Sequence, residues 1–360
     1  MIRQLKAFTV NMIAGANVAT GIVMLLVGFT DYAYPPDHPY IATAGLLFPL
    51  FLILNLGFLV FWLLFKRRMA IIPVLAYAAA FVPIRVYMPI NHRPEPPEGA
   101  LKVLSYNVRG YASTPAHGNA VGEIFDYIRQ SGADIVCLQE DLPGGRNIRA
   151  RLDSIYPHSD TVSIVKNGAK TNALGVYTRF PIVRKERIWY ESDNNGSAAF
   201  YLKVGRDTVL VVNNHFESTH LSPDERKRYK DILKGEVGKD TARKESKKLL
   251  HKLGEAAKKR APQADTVYNY LKKHSRYPII LCGDFNDNPI SYTRRMMAKD
   301  LTDCYVATGR GIGLSYNQKG FFVRIDNIMC SEHFKPYKCT VDSKISASDH
   351  YPIYCWLKMQ

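Results

Sequence analysis

Asn107, Glu140, His215, Asp284, Asn286, Asp326, Asp349 and His350 each stand at the end of a short apolar run, in places that packing alone does not explain. Four carboxylates, two amides and two imidazoles offer hard oxygen ligands for a small divalent cation and groups that move protons near neutral pH. Oxygen donors such as Glu140 and Asn107 suit magnesium, which keeps several waters and takes few protein ligands, with manganese as a substitute. Each residue also has an ordinary reading: Asn107 caps a turn, Glu140 starts a loop, and GDFND at 283–287 is a Gly/Asp turn. Those readings do not account for the whole set in this order.

The elements that must position this set begin at Leu101. LKVLSYNV, DIVCLQE, NALGVYT, TVLVVNNHF, YPIILCGDF, FVRIDNIMC and YPIYCWL read as strands, several apolar throughout and so buried on both faces. Between them, 119–131 and 266–274 read as helices. The alternation predicts an α/β domain over 100–360 with a large sheet core. All six cysteines fall in this part (Cys137, Cys282, Cys304, Cys330, Cys339 and Cys355), with no CxxC pair and no zinc spacing. Cys137, Cys282 and Cys330 sit inside apolar runs as small hydrophobes, and the even count leaves disulfides among the others open.

In order and rough spacing, SYNVRG, LQE, GVYTRFPI, VNNHF, GDFND, RIDNI and SDHYP resemble the motif series of the endonuclease/exonuclease/phosphatase superfamily. The resemblance covers 100–360 and implies a DNase I-like four-layer α/β/β/α sandwich that hydrolyses phosphoester bonds with magnesium. Carried over position by position, it makes Glu140 the principal metal ligand, with Asn107 and Asp349 near the metal. His350 would activate or orient the attacking water and Asp326 would hold its ring. Asp284 and Asn286 would position the nucleophile, and His215 would contact the scissile phosphate. His215 also places the chain with the histidine-bearing branch, which includes secreted DNases, sphingomyelinases, deadenylases and inositol-polyphosphate phosphatases. Abasic-site repair nucleases typically have a tyrosine-containing segment there. One departure is Asn327, where many members have Tyr.

The first 90 residues obey a different solvent. Residues 8–29 and 41–65 each reach the apolar length of a bilayer core, and 69–90, interrupted by Pro73, Pro83 and Arg85, reads as a weaker third span. Arg3 and Lys6 before the first span, and Lys66, Arg67 and Arg68 after the second, belong inside the cell. Three spans then place the catalytic domain on the extracytoplasmic face of a multi-pass protein, bacterial in style. Two spans plus an interfacial segment would place it in the cytoplasm. Residues 91–99 (NHRPEPPEG) read as a Pro-rich extended tether.

A formal charge of +16 implies an acidic partner: nucleic acid, phospholipid headgroups or a phosphorylated small molecule. The excess concentrates in 223–260, a helical insert broken near Gly235 and Gly238 with 14 Lys/Arg against 7 Asp/Glu. That stretch is either a basic arm at the mouth of the site or a solvated hairpin. With Tyr229 its one aromatic, it is a poor platform for base stacking. The leading reading is a membrane-anchored, magnesium-dependent phosphodiesterase, nuclease or phosphatase, with a lipid-directed, sphingomyelinase-like enzyme as the alternative. A catalytically inactive binding protein on the same fold is the reading of a different class. No obligate protein partner is evident.

Overall fold

The computed structural model describes residues 2–113, 118–142, 148–318 and 323–360; Phe322, at the start of one expected strand, lies outside the described residues. Five helices form the N-terminal part: α1 (Ile2–Gly28), α2 (Pro39–Thr43), α3 (Phe48–Phe65), α4 (Ile71–Ala79) and α5 (Phe81–Tyr87). Two segments, Arg3–Tyr32 and Pro39–Phe65, are long and apolar enough to cross a membrane, and the pair Arg67–Ala79 and Phe81–Tyr87 is bent by 65°. Pro83 accounts for the bend, because it has no N–H to continue the helical ladder past Ala79. Buried polar side chains join the helices: Trp62 Nε1 donates to Asn17 Oδ1 at 3.0 Å, Asn17 Nδ2 to Asn55 Oδ1 at 3.3 Å, and Tyr77 Oη to the Leu52 carbonyl at 2.7 Å. Away from water such bonds have few competitors.

The rest of the chain builds two six-stranded sheets. The first contains β1 (Leu101–Asn107), β2 (Ile135–Gln139), β3 (His158–Lys166), β4 (Ala169–Thr178), β11 (Phe334–Val341) and β12 (Ile353–Met359), in the order β11-β12-β1-β2-β4-β3. The second runs in sequence order except at its end, β5-β6-β7-β8-β10-β9. Its strands are β5 (Ile182–Ile188), β6 (Gly196–Val204), β7 (Asp207–His215), β8 (Ile279–Asp284), β9 (Thr302–Asp303) and β10 (Asp326–Cys330). Val103, Ile135, Cys137 and Val176 of the first sheet interdigitate with Phe200, Val211, Ile280 and Cys282 of the second, burying the inner faces against each other.

Helices close both outer faces. Ile124 and Ile128 of α6 (Ala120–Ser131) and Leu152 of α7 (Ile148–Asp153) cover the first sheet. Val267 and Leu271 of α9 (Lys239–Lys273) and Met296 and Met297 of α10 (Tyr292–Met297) cover the second. Two further helices complete the set, α8 (Pro223–Leu233) and α11 (Cys304–Thr308). The result is the expected four-layer sandwich. The basic stretch is interrupted at Gly235 and Gly238 as expected, but its second helix does not stop at Arg260. It continues as a single 35-residue element through Pro262 and absorbs the separate helix expected over 266–274. All six cysteines are buried free thiols.

The helical region is docked on the sandwich. The buried Arg324 guanidinium donates to the carbonyls of Val86 at 2.8 Å and Ile312 at 2.7 Å and lies over the Tyr305 ring. Tyr34 packs edge-on against Tyr292, and Gly45 lies so close to the Ile290 carbonyl and Asn288 that a Cβ there would sit 2.6 Å from that oxygen. Residues 91–99 adopt no helix or strand: Asn91 Nδ2 donates to the carbonyls of Val306 and Gly309, and Lys358 Nζ donates to Glu98 O. The Pro-rich stretch therefore runs along the domain surface.

Candidate active site

Parallel pairing sets the site. β1 lies parallel to β2, with Asn107 opposite Gln139, and β7 lies parallel to β8, with His215 opposite Asp284. Antiparallel β10 brings Asp326 opposite Asp284 from the other side. Strand ends from both sheets thus discharge their polar residues at one edge of the sandwich. Glu140 follows β2 with φ of 55°, a left-handed conformation that a non-glycine residue holds only when its surroundings dictate it. Asn286, at φ of 50°, makes the same turn after β8.

Asp284 is the hub. Its Oδ2 accepts from Asn107 Nδ2 at 3.1 Å and lies 3.5 Å from His350 Nε2 and 3.7 Å from His215 Nε2. Its Oδ1 accepts the Asn286 N–H at 2.8 Å. Burial pushes the carboxyl up to about 6, helped by the charge of Asp326 and opposed by the histidines. His350 Nδ1 lies 2.9 Å from Asp326 Oδ2. Burial disfavours the imidazolium, but Asp326 and Asp284 outweigh it and hold the ring's pKa well above that of a free histidine.

His215 is in the opposite state. Asn172 Nδ2 donates to its Nδ1 at 3.0 Å, and the amide cannot turn over, because Asn172 Oδ1 already accepts the Ala173 N–H. The proton of the neutral ring therefore sits on Nε2, facing Asp284 and, at 3.8 Å, Glu140 Oε1. Burial lowers the pKa of His215 and keeps it neutral.

Of the eight residues expected from the sequence, Glu140, His215, Asp284, Asn286, Asp349 and His350 line one cavity of about 430 Å³. Asn107 and Asp326 stand behind, in contact with that lining. Asn107 turns its amide nitrogen to Glu140 Oε1 at 3.2 Å and to Asp284, while its oxygen accepts the Arg109 N–H. Asp349 faces Arg109 Nε at 3.8 Å, and Asn286 Nδ2 donates to the Phe216 carbonyl.

The donor set fits a hard divalent cation. It is built of carboxylate oxygens and imidazole nitrogen with no thiolate, Asp284, Asp326 and His350 bringing ligand atoms within 4.8 Å of one another; burial raises the Glu140 and Asp284 carboxyls, and Asp326 Oδ1 is buried without a hydrogen-bond partner among the described residues. Each observation marks a site short of positive charge.

Three contributors to the site escape a reading of the sequence. Asn172 opens a run with the pattern of a plain strand, yet it is a polar residue beside a buried one, the same signal that marks the others. Ser315 Oγ accepts the N–H groups of Ile325 and Asp326, and Tyr316 meets the His350 ring edge-on at 5.3 Å while accepting from Arg226 Nη1 of α8. Neither of these last two stands near a motif.

A model of the endonuclease/exonuclease/phosphatase family matches residues 104–350, which include all eight positions. The chain belongs to this family. A second model, for a domain of unknown function (DUF8431), matches residues 10–87, the helical region. No curated protein matches the chain. Among solved structures, a family member from Bacteroides thetaiotaomicron is 19% identical, with 72% of this chain and 98% of that one covered at a TM-score of 0.52. Sphingomyelinase C from Streptomyces griseocarneus is 21% identical, covering 71% and 99% at 0.51, and the human Nocturnin catalytic domain with bound sulfate is 15% identical, covering 75% and 97% at 0.51. At such identities these likenesses speak for the fold. The family and its neighbours are phosphoester hydrolases, and this chain carries the family's hydrolase fold.

Proposed function

We propose that the protein is a metal-dependent phosphoester hydrolase held at the membrane by α1, α3 and the bent pair α4–α5, working on the extracytoplasmic face. The observation that carries the chemistry is the arrangement around Asp284, one buried carboxylate 3.5 Å from His350 Nε2 and 3.7 Å from His215 Nε2. Magnesium on Glu140, with Asp349 beside it, would neutralise charge on the phosphoryl oxygens, and manganese would substitute. Asn107, donating to Glu140, orients that carboxylate.

Asp284 is the acceptor for a proton of the attacking water, and the Asn286 N–H fixes its rotamer. His215 offers its Nε2–H to a phosphoryl oxygen. His350, its ring held at Nδ1 by Asp326, would donate from Nε2 to the phosphoryl group or the departing oxygen, alongside the activating or orienting of the water expected of it from the sequence.

The positive ends of the helices support the topology. Lys66, Arg67 and Arg68 lie between α3 and α4, at the opposite end of α3 from Gly45, which touches the catalytic domain. α5 returns to that domain, its Tyr87 carbonyl 3.5 Å from Arg324 Nη1. An odd number of crossings meets both conditions. Turnover of bis(4-nitrophenyl) phosphate by the purified full chain tests the chemistry: magnesium-dependent release of nitrophenol abolished by EDTA is expected, and metal-independent turnover or none overturns it.

A further inference from the structure

The catalytic cavity is not walled by the sandwich alone. Thr43, Leu46 and Pro49 of the helical region line it, as do Tyr229, Leu249 and Leu253 of the α8–α9 hairpin, facing the floor made by Glu140, His215, Asp284 and His350. The floor is charged, and most of this wall is apolar.

The wall continues into the bilayer. Pro49 lies in the first turn of α3, and Leu46, Leu47, Leu50 and Ile53 beside it are exposed hydrophobics on a segment apolar enough to span a membrane. The dock that holds the wall in place is tight, as Gly45 on Ile290 and Gly254 against Pro39 show, so the helical region is a fixed part of the cleft. Above the cleft, α8 contributes Arg226, which binds Tyr316 beside His350, and 223–260 of the α8–α9 stretch carries 14 Lys/Arg against 7 Asp/Glu.

We infer that the substrate is a membrane phospholipid, drawn sideways from the leaflet so that its phosphoester meets Asp284 and the two histidines while the start of an acyl chain lies along Leu46, Pro49, Leu249 and Leu253. This rests on the hydrolase reading above and names the class of molecule that the site takes. A nucleic acid would leave the apolar wall in contact with a polyanion, whereas a phospholipid matches charge at one end and hydrocarbon at the other. The reaction balances with water alone. The water oxygen bonds to phosphorus and the bond from phosphorus to the alcohol oxygen breaks. One water proton goes to Asp284, and a proton from His350 goes to the departing oxygen.

The test uses the full chain in phosphatidylcholine vesicles containing phosphatidylglycerol, phosphatidylethanolamine or sphingomyelin. Each lipid is compared with its water-soluble, tail-free headgroup diester, and bis(4-nitrophenyl) phosphate serves as a reference. At least one lipid should be cleaved about tenfold faster than its tail-free counterpart, the effect of burying roughly two methylenes. Leu46→Glu and Leu253→Glu should lower the ratio of lipid to reference turnover by about tenfold, and Leu46→Met should restore it. Equal rates on lipid and tail-free diester, with the reference still cleaved, overturn the phospholipid assignment and leave the hydrolase reading standing. No magnesium-dependent turnover of any substrate removes the hydrolase reading, and this inference with it. The wild-type comparison stands even if a Glu variant fails to fold.

Discussion

Asp326 Oδ2 sits 2.9 Å from His350 Nδ1, both groups buried, so the carboxylate charge bears directly on the ring whose Nε2 faces Asp284 at 3.5 Å. Asp326→Asn retains the shape but removes that charge. Turnover should fall by about 10² to 10⁴ with little change in KM, as for other carboxylates that orient a catalytic histidine. The His350 pKa, read from ring-proton NMR shifts, should move down. A variant within twofold of wild type, about 0.4 kcal/mol in barrier, would show that the charge on His350 is not used.

Asn172 sets the His215 tautomer through one hydrogen bond to Nδ1. In Asn172→Asp a carboxylate faces Nδ1 and, as Asp326 does for His350, favours the ring that carries a proton on both nitrogens. The His215 pKa should rise, and ¹⁵N NMR near neutral pH should report protons on both ring nitrogens in place of Nε2 alone. An unchanged ring spectrum would contradict the assignment.

Glu217 makes an acid-sensitive brace under the site. Although its burial opposes ionisation, hydrogen bonds from His220, Ser192 and Gln263 and the charge of Lys259 hold its carboxyl down at about 2, below the usual glutamate value. A depressed folded-state pKa contributes stability that is present above the unfolded value, about 4.3, and is lost as pH falls from there toward 2. Glu217→Gln should therefore melt below wild type at pH 7, by on the order of 2 kcal/mol, with the gap closing as pH falls from about 4.3 toward about 2. A gap independent of pH would show that the ionic form is not what braces the loop.

Arg324→Met removes the donors that tie Val86 of the helical region to the domain and hold the Ile312 carbonyl within it. Leaving those carbonyls buried and unpaired should cost about 2 to 4 kcal/mol. In detergent, residues 91–99 should also become open to protease well below the global melt. Unchanged proteolysis would mean that the dock does not depend on this residue.

What is legible in the sequence, and what is not, divides along the range of the contacts. A polar residue closing an apolar strand is a local conflict, so the eight positions and an α/β domain stand out in the chain alone, while the four-layer sandwich is what the resemblance of the motif series implies. β5 (IVRKERI) and β6, which opens Gly-Ser-Ala-Ala, lack a clean strand pattern because one is a charged edge strand and the other packs small side chains. Asn172 reaches His215 across 43 residues, and Leu46 meets the cavity only because the helical region docks on α9 and the Asn288–Ile290 turn. Nothing local announces either contact. The state of His350 is likewise out of reach of a linear pattern, since it depends on two carboxylates, Asp284 and Asp326, held by register on neighbouring strands.

The central claim is that Asp284, Glu140 and the two histidines form one metal-assisted hydrolytic site. The most direct measurement is a magnesium titration of bis(4-nitrophenyl) phosphate turnover by wild type, Glu140→Gln and Asp284→Asn, with isothermal calorimetry of magnesium binding to each. Magnesium-dependent turnover is predicted for wild type. Glu140→Gln should bind magnesium at least about tenfold more weakly, and Asp284→Asn should lose at least about 10²-fold in turnover. Full turnover by Asp284→Asn, or magnesium affinity unaltered by Glu140→Gln, would contradict the account.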